Sequence, residues 1–231
     1  MPERNVMLRI GQIKLPYREG DKKVFHTTLN KLHIQEKDVL EWSIFKKSID
    51  ARKEDIMAVY TVDLELKKEE AFLKRNRNKN IRKVDKESYI FPEAGNTELN
   101  KPIVIVGTGP AGLFCGLMLA RYGYQPILLE RGLDVDARQI SVRKFWDKGI
   151  FDTESNVQFG EGGAGTFSDG KLNTLVKDSS FRNKKVLEIF VECGAPEEIL
   201  YVNKPHIGTD LLRDVVKNMR NKIIEFGGEF K

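Results

Sequence analysis

Ile103-Val104-Ile105-Val106-Gly107-Thr108-Gly109-Pro110-Ala111-Gly112-Leu113 is the stretch that decides the fold of the second half of this 231-residue chain. Its four leading apolar residues predict a short buried strand, and the proline after the glycine turn suits a first helical position. A second apolar run, residues 126–129, is followed by Glu130. Strand, G-x-G-x-x-G turn, helix, strand and acid occur in the order that a dinucleotide-binding βαβ unit requires.

Each part of this pattern has a physical task. Gly107 allows a tight turn off the strand, and Gly109 lacks a Cβ atom, so a pyrophosphate can approach the backbone there. Gly112 lets the helix pack closely against the strands, and the helix N-terminus offers N–H groups to an anion. The carboxylate of Glu130 can accept hydrogen bonds from ribose hydroxyls. Because the strands, helix and acid surround the glycines, we expect a dinucleotide site and not a plain structural turn.

The N-terminal part of the chain predicts a separate small α+β domain, residues 1–85. Residues 6–14 and the runs 43–51 and 56–66 have strand character, while residues 22–32 place apolar side chains on one helical face. Residues 39–40 are interpreted as a short turn or helix. The order β-α-β-β indicates half of a ferredoxin-like layer, and no cluster of catalytic residue types occurs in it.

A basic stretch, residues 73–86, ends this predicted domain. Its cations are Lys74, Arg75, Arg77, Lys79, Arg82, Lys83 and Lys86, opposed by Asp85 alone. One hypothesis is an arm that binds RNA or DNA phosphates, and the other is a solvated linker or helix tail. The stretch contains no aromatic residue on which a base could stack, which favours the second hypothesis. Residues 86–101 are predicted to link to a nucleotide-binding domain, residues 102–231.

A second glycine-rich stretch, residues 156–173, also suggests a binding function. Glycines 160, 162, 163, 165 and 170 let a backbone wrap closely around a ligand. A mobile surface loop is the alternative, but Phe159, Phe167 and Leu172 would serve no purpose in a loop that is only solvated. The hydroxyls of Thr166 and Ser168 could bond a phosphate or the edge of a flavin ring.

Composition limits the class of protein. The chain is 40% hydrophobic and 32% charged, with a formal net charge of +5, as in globular proteins with well-mixed charges. It has no apolar run of membrane-spanning length and no signal peptide, so a cytoplasmic location and no membrane partner are expected. Cys115 and Cys193 form no C-x-x-C, which argues against a disulfide framework and against a dithiol relay to a flavin.

The two glycine-rich stretches together resemble known flavoproteins. GTGPAGL with ILLERG is similar to the FAD-binding domain of two-dinucleotide-fold flavoproteins. NVQFGEGGAGTFSDGKLNT and KPHIGTDLL resemble a bacterial family of largely uncharacterised FAD-dependent dehydrogenases, which also carry a small N-terminal α+β domain. This resemblance implies an FAD-dependent oxidoreductase with a Rossmann-like α/β domain. It implies that Gly107, Gly109, Pro110, Ala111 and Gly112 hold the pyrophosphate and that Glu130 binds the adenosine ribose. The 160–172 loop, with Gly163, Gly165, Thr166 and Ser168, would line the flavin side, and Arg131 is a further candidate for cofactor binding.

One departure from that family is expected to matter. The family's flavin domain continues through further strands and a later glycine-aspartate segment, whereas this sequence ends where a third strand should begin at residue 229. The chain is therefore expected to be the N-terminal portion of a longer protein, with a truncated Rossmann-like domain. Metal binding is not expected, and the catalytic residues are unknown, although His206 is the best candidate for an acid or base.

Two other functions remain open. The same fold could bind NAD(P) without flavin, because a ribose-binding acid serves both cofactors; NAD(P)H could equally be the electron donor to a flavin. The third possibility is a non-catalytic nucleotide- or RNA-binding protein built on the N-terminal domain and the basic stretch. The substrate, the electron acceptor and the oligomeric state cannot be read from the sequence.

Overall fold

The structure is a computed structural model that describes residues 6–76, 78–86, 88–168, 170–172, 174 and 176–231. The chain is a mixed α/β protein and divides into two compact units. Unit 1 contains the described residues within 6–88 together with 200–205, and unit 2 contains those within 89–199 together with 206–231.

Unit 1 is built on one antiparallel sheet. Its elements in chain order are β1 (Val6–Pro16), α1 (Val24–Leu32), β2 (Val39–Asp50), β3 (Met57–Leu66), α2 (Glu69–Arg75) and β4 (Ile81–Asp85). Short 3-10 turns occupy Tyr17–Glu19, Asp21–Lys23 and Glu36–Asp38. The strand order is β2-β3-β1-β4, and every neighbouring pair is antiparallel.

Alternation of side chains explains the core of unit 1. Alternate residues of β3, among them Tyr60, Val62 and Leu64, are buried and belong to one apolar cluster. In β1 the pairing shifts between Ile10 and Ile13, so the strand carries a bulge. The bulge brings Ile13 to the face of Ile10, because β1 advances three residues where β3 advances two, and the one extra residue changes the face.

The structure corrects two predictions for this unit. Strand β2 begins at Val39, where a turn or helix was expected. Of the basic stretch, predicted as a linker or helix tail, residues 73–75 do end helix α2, but residues 81–85 form the edge strand β4; Arg77 lies outside the described residues. Two of its cations form ion pairs, Lys83 with Glu69 at 2.9 Å and Lys86 with Glu41 at 2.6 Å.

A segment from the second half of the chain, residues 200–205, belongs to unit 1. The backbone N–H of Lys47 donates to the carbonyl oxygen of Tyr201 at 2.7 Å. The carboxylate of Asp21 accepts hydrogen bonds from Lys47 Nζ, the Tyr60 hydroxyl and the Tyr201 hydroxyl at 2.6, 2.6 and 2.7 Å. Burial alone would raise the pKa of Asp21, but these bonds outweigh burial and hold it below its ordinary value. Nothing in the local sequence indicated this attachment.

Unit 2 is built on a parallel sheet of short strands. The strands are β5 (Val104–Val106), β6 (Ile127–Leu129) and β7 (Glu229–Phe230), and the sheet order is β5-β6-β7. Helices α3 (Pro110–Arg121), α4 (Val135–Lys148), α5 (Arg182–Glu192) and α6 (Thr209–Glu225) follow in chain order, with 3-10 turns at Ala164–Phe167 and Glu197–Leu200. Parallel neighbours need a crossover, which α3 supplies between β5 and β6.

One face of this sheet packs on the helices. Leu113 and Leu117 of α3, Ile189 of α5 and Met219 and Ile223 of α6 are buried in a single apolar cluster. A side chain at Gly116 would place its Cβ atom 2.8 Å from Leu128 Cδ2, so the absence of one lets α3 approach β6. The edge strand β5 leaves Val104 and Val106 52% and 85% exposed. Within the described ranges, no helix is both long and apolar enough to cross a membrane.

Candidate functional site

The glycine-rich turn lies between β5 and α3. Gly107 has φ of +91°, a conformation that side chains rarely adopt, and its N–H donates to the carbonyl oxygen of Leu129 at 2.7 Å. A Cβ atom at Gly112 would lie 1.9 Å from the Gly107 carbonyl oxygen, so a side chain there is excluded. Gly109 is different. Its φ is −65°, and no protein atom would lie within 4 Å of a Cβ atom at this position.

Glu130 lies against this turn. Its Oε2 atom accepts from the Thr108 N–H at 2.8 Å and from the Thr108 hydroxyl at 2.6 Å, and its Oε1 atom accepts from the Gly132 N–H at 2.9 Å. Burial alone would raise the pKa of Glu130, but the hydroxyl and the backbone N–H donors outweigh it and hold the pKa below its ordinary value. The acid is therefore ionised at neutral pH and is oriented by the turn.

The two glycine-rich stretches meet. The N–H of Gly162 donates to the carbonyl oxygen of Thr108 at 2.8 Å. A Cβ atom at Gly163, whose φ is +67°, would lie 3.1 Å from Pro110 Cδ at the first position of α3. Two sequence segments that were separate predictions thus form one continuous surface at the N-terminus of α3.

A buried arginine organises the second stretch. Arg138 of α4 has no exposed surface, and its guanidinium donates to the carbonyl oxygens of Asn156, Val157, Gly160, Glu161 and Gly163 at 2.6 to 3.2 Å. Burial lowers the pKa of Arg138 to about 10, against the raising effect of nearby carboxylates. Local sequence does not predict this burial, because a helix arginine is ordinarily exposed, as Arg143 of the same helix is.

An apolar cleft of about 560 Å³ opens beside the turn. Pro110 contributes to one wall and the second glycine-rich stretch to another, with Gly165, Thr166 and Ser168 among its lining residues. The Thr166 hydroxyl is buried and has no hydrogen-bond partner, whereas the exposed Ser168 donates to the Gly165 carbonyl oxygen at 2.9 Å. The other walls come from α3, α5 and α6 through Leu113, Phe114, Phe190, Leu212, Val216 and Met219.

The remaining predicted residues lie less centrally. Arg131 is exposed, forms an ion pair with Glu154 at 3.2 Å and stands over the ring of Phe159 at 4.4 Å. His206 is exposed and pairs through its backbone with Lys171, at the far end of the second stretch. Positions 169 and 173 of that stretch lie outside the described residues.

A second, more polar pocket of about 440 Å³ adjoins Glu130. Its lining includes Glu161 and Arg220, which were not predicted as site residues. Glu161 Oε2 accepts from the Val135 N–H at 2.7 Å and from Arg220 Nη1 at 2.9 Å. Burial raises the pKa of Glu161, while these two donors act in the opposite direction. In the part of the chain that the structure describes, no three His, Cys, Asp or Glu side chains are grouped to hold a metal.

The fold and the site define an α/β protein with a glycine-rich turn at a helix N-terminus. Residues 100–137 match the family model of an FAD binding domain, and residues 7–65 match a domain of unknown function (DUF8436). An uncharacterised protein of Clostridium beijerinckii is 46% identical over 223 residues, which is 96% of this chain and 42% of that relative. The chain thus spans about two fifths of the relative's length. The match over residues 100–137 supports an FAD-binding family and an oxidoreductase type of function.

Proposed function

We propose that unit 2 is the FAD-binding part of an oxidoreductase. The single observation that carries the proposal is the junction of the two glycine-rich stretches, where Gly162 bonds to Thr108 above the N-terminus of α3. The junction leaves open space at Gly109 and continues into the apolar cleft. The match to an FAD binding domain over residues 100–137 supports the same cofactor.

The finer architecture belongs to this proposal. A parallel βαβ unit with the acid at the end of its second strand is typical of a Rossmann-like domain. The order β-α-β-β-α-β in unit 1, with strand order β2-β3-β1-β4, is typical of a ferredoxin-like layer. The domain boundaries predicted from the sequence, at residues 85 and 102, remain a prediction.

The turn would hold the pyrophosphate. The first N–H groups of any helix have no partner within the helix, and the helix dipole is positive there. In α3 the N–H groups of Ala111 and Gly112 are therefore available to an anion, whereas Pro110, as a proline, has no N–H group. Gly109 lets the anion approach them, because no protein atom fills the space beside its Cα atom. Glu130 accepts from Thr108 and Gly132, and a ribose hydroxyl would approach the same carboxylate as a further donor.

The apolar cleft would take the ring system. When bound, a flavin supplies hydride and electron transfer through its isoalloxazine ring. The walls from α3, α5 and α6 exclude water from that ring, and the unpartnered Thr166 hydroxyl would bond to a polar ring edge. Arg138 fixes the carbonyl oxygens of residues 156–163 and so holds the cleft wall in place. A nicotinamide donor and a small-molecule acceptor are part of the proposal, and the identity of each is left to experiment.

Gly109→Ala tests this assignment. The substitution suits the backbone and meets no protein atom, so the fold should be unchanged, while the added methyl group occupies the space proposed for the pyrophosphate. We expect at least a tenfold weaker affinity for FAD, measured by quenching of flavin fluorescence on titration.

Gly208→Ala is the matched control. Gly208 also precedes a helix, has φ of −56° and would leave its Cβ atom without a neighbour within 4 Å. The Gly208→Ala variant should bind FAD with the affinity of the wild type. An unchanged FAD affinity in Gly109→Ala contradicts the site, and binding of NADH by a wild type that binds no flavin favours the NAD(P) alternative.

A further inference from the structure

The polar pocket beside Glu130 has its own chemistry. Glu130 and Gly132 form the side nearest the glycine-rich turn, and Phe230 of β7 contributes an aromatic side chain. Glu161 and Arg220 supply a carboxylate and a guanidinium. A ligand that filled this pocket would therefore meet an apolar surface, a hydrogen-bond acceptor and a hydrogen-bond donor.

Glu161 carries the strongest indication of a ligand. The residue is 2% exposed, and its Oε2 atom is fully used by the Val135 N–H and Arg220. Its Oε1 atom is buried and has no hydrogen-bond partner. Buried carboxylate oxygens are rarely left without a donor because the loss of water is then uncompensated. An N–H or O–H group from a ligand would satisfy this atom.

Arg220 supplies the complementary donor. Its Nη1 atom donates to Glu161 at 2.9 Å and lies 3.9 Å from Asp134 Oδ1. A guanidinium has five N–H groups in a planar fork, so donors remain after the bond to Glu161. Carboxylate and guanidinium stand side by side, and together they present one acceptor and one donor to the pocket.

We propose that Glu161 and Arg220 recognise the adenine base of the dinucleotide. The N6 amine of adenine donates a hydrogen bond to Glu161 Oε1, and its N1 atom accepts one from Arg220. The ring packs against Phe230. The position fits because Glu130, assigned above to the ribose, lines the same pocket. This inference rests on the proposed function and adds the residues that select the base.

The pair also excludes other bases. Guanine and hypoxanthine carry an oxygen where adenine has its amine, and a protonated N1 where adenine has an acceptor. Their oxygen would face the carboxylate of Glu161, and their N1–H would face the guanidinium of Arg220. Both contacts are repulsive, so the pocket discriminates against these bases.

The test compares FAD with its analogue in which hypoxanthine replaces adenine. Both are titrated into the full chain while flavin fluorescence is followed, and FMN, which lacks the whole adenosine half, is a third ligand. For the wild type we expect affinity for FAD to exceed that for the hypoxanthine analogue about tenfold or more, the size of one good base contact. Equal affinities for the two dinucleotides overturn the inference and leave the proposed function standing. Binding of neither dinucleotide contradicts the proposed function itself.

Glu161→Gln sharpens the test. The amide oxygen can still accept from the Val135 N–H, and the amide nitrogen replaces the unpartnered oxygen with a donor. The preference should therefore shift toward the hypoxanthine analogue, whose oxygen accepts from that donor. Asp134→Asn is the control, because it removes a carboxylate from the same pocket and retains a side chain that caps α4. A preference for FAD that is equally strong in Glu161→Gln contradicts the role of Glu161, and melting curves establish that each variant is folded.

Discussion

Arg138→Met removes the side chain that holds the second glycine-rich stretch. The wild-type guanidinium donates to five carbonyl oxygens between residues 156 and 163 at 2.6 to 3.2 Å, and all of its surface is buried. Methionine is unbranched and apolar, so it replaces the aliphatic stem of the arginine without donating a hydrogen bond.

The expected loss follows from two opposing contributions. Each hydrogen bond from a charged donor contributes about 1.5–3 kcal/mol to stability. These contributions are not additive, and the cost of burying the charge offsets part of them. Burial of Arg138 is costly, as its pKa of about 10 indicates. Each carbonyl oxygen that stays buried without a donor costs about 1–3 kcal/mol. Because methionine avoids the cost of burying the charge, we expect the free energy of unfolding of unit 2 to fall by about 3 kcal/mol.

Urea unfolding can be followed in unit 2 alone. The chain has two tryptophans, Trp42 on β2 and Trp146 on α4. In a Trp42→Phe background the fluorescence reports Trp146, which lies on the helix that carries the substituted arginine. Limited proteolysis of the same variant should show faster cleavage within residues 156–163, because their carbonyl oxygens lose a common donor.

Arg143→Met is the control on the same helix. Arg143 is exposed, so its removal should change the free energy of unfolding by less than about 0.5 kcal/mol. Arg138→Lys should give an intermediate loss, because a single ammonium cannot reproduce the planar fork of donors. If Arg138→Met costs no more than Arg143→Met, the reasoning about the buried guanidinium is refuted.

Two further perturbations test other contacts. Asp21→Asn should destabilise unit 1 most at pH 7. The pKa of Asp21 in the folded protein is lowered from 3.8, so the wild type should lose its stability advantage over the variant as the pH falls below that value. Unfolding experiments at pH 7, 5 and 3 measure this difference in stability. A constant difference across that range would contradict the role of the carboxylate in binding Tyr60 and Tyr201. Gly160 has φ of +115°, and Gly160→Ala would place a methyl group 2.6 Å from Cδ of the buried Arg138. This variant should lower the melting temperature by several degrees. The methyl group of Gly165→Ala meets no atom within 4 Å, so that variant should leave the melting temperature unchanged. Equal melting temperatures for the two variants would show that Arg138 can move away from a methyl group at position 160 without loss of stability.

Parts of this fold follow from rules that act within a few residues. Gly107 needs a positive φ and Gly112 must lack a side chain, so the strand-turn-helix around them was predictable from spacing alone. The short strand at residue 229 was also predicted, from the glycine break before it and from the place of a third strand in the resembling family. Asp134 at the N-cap of α4 and Gly149 after its last turn likewise match the local preferences for helix ends.

Strand β4 shows where such rules fail. Only Ile81 and Val84 are apolar in its five residues, and because they are three positions apart they show no period-two alternation. Its strand conformation depends on pairing with β1, and that partner lies about 75 positions earlier in the chain. Propensity could not reveal a partner at such a distance, because strand formation depends on neighbours in space.

The sequence by itself predicted the glycine-rich turn between β5 and α3, because glycines act through backbone geometry that is local. Only the tertiary structure brought Gly162 against Thr108, buried Arg138 among the carbonyl oxygens and left one oxygen of Glu161 without a donor. The physical reason is that burial and hydrogen-bond satisfaction depend on which distant segments meet. A charged side chain is expected at the surface from its own chemistry, and it becomes part of the interior only where many donors or acceptors converge on it.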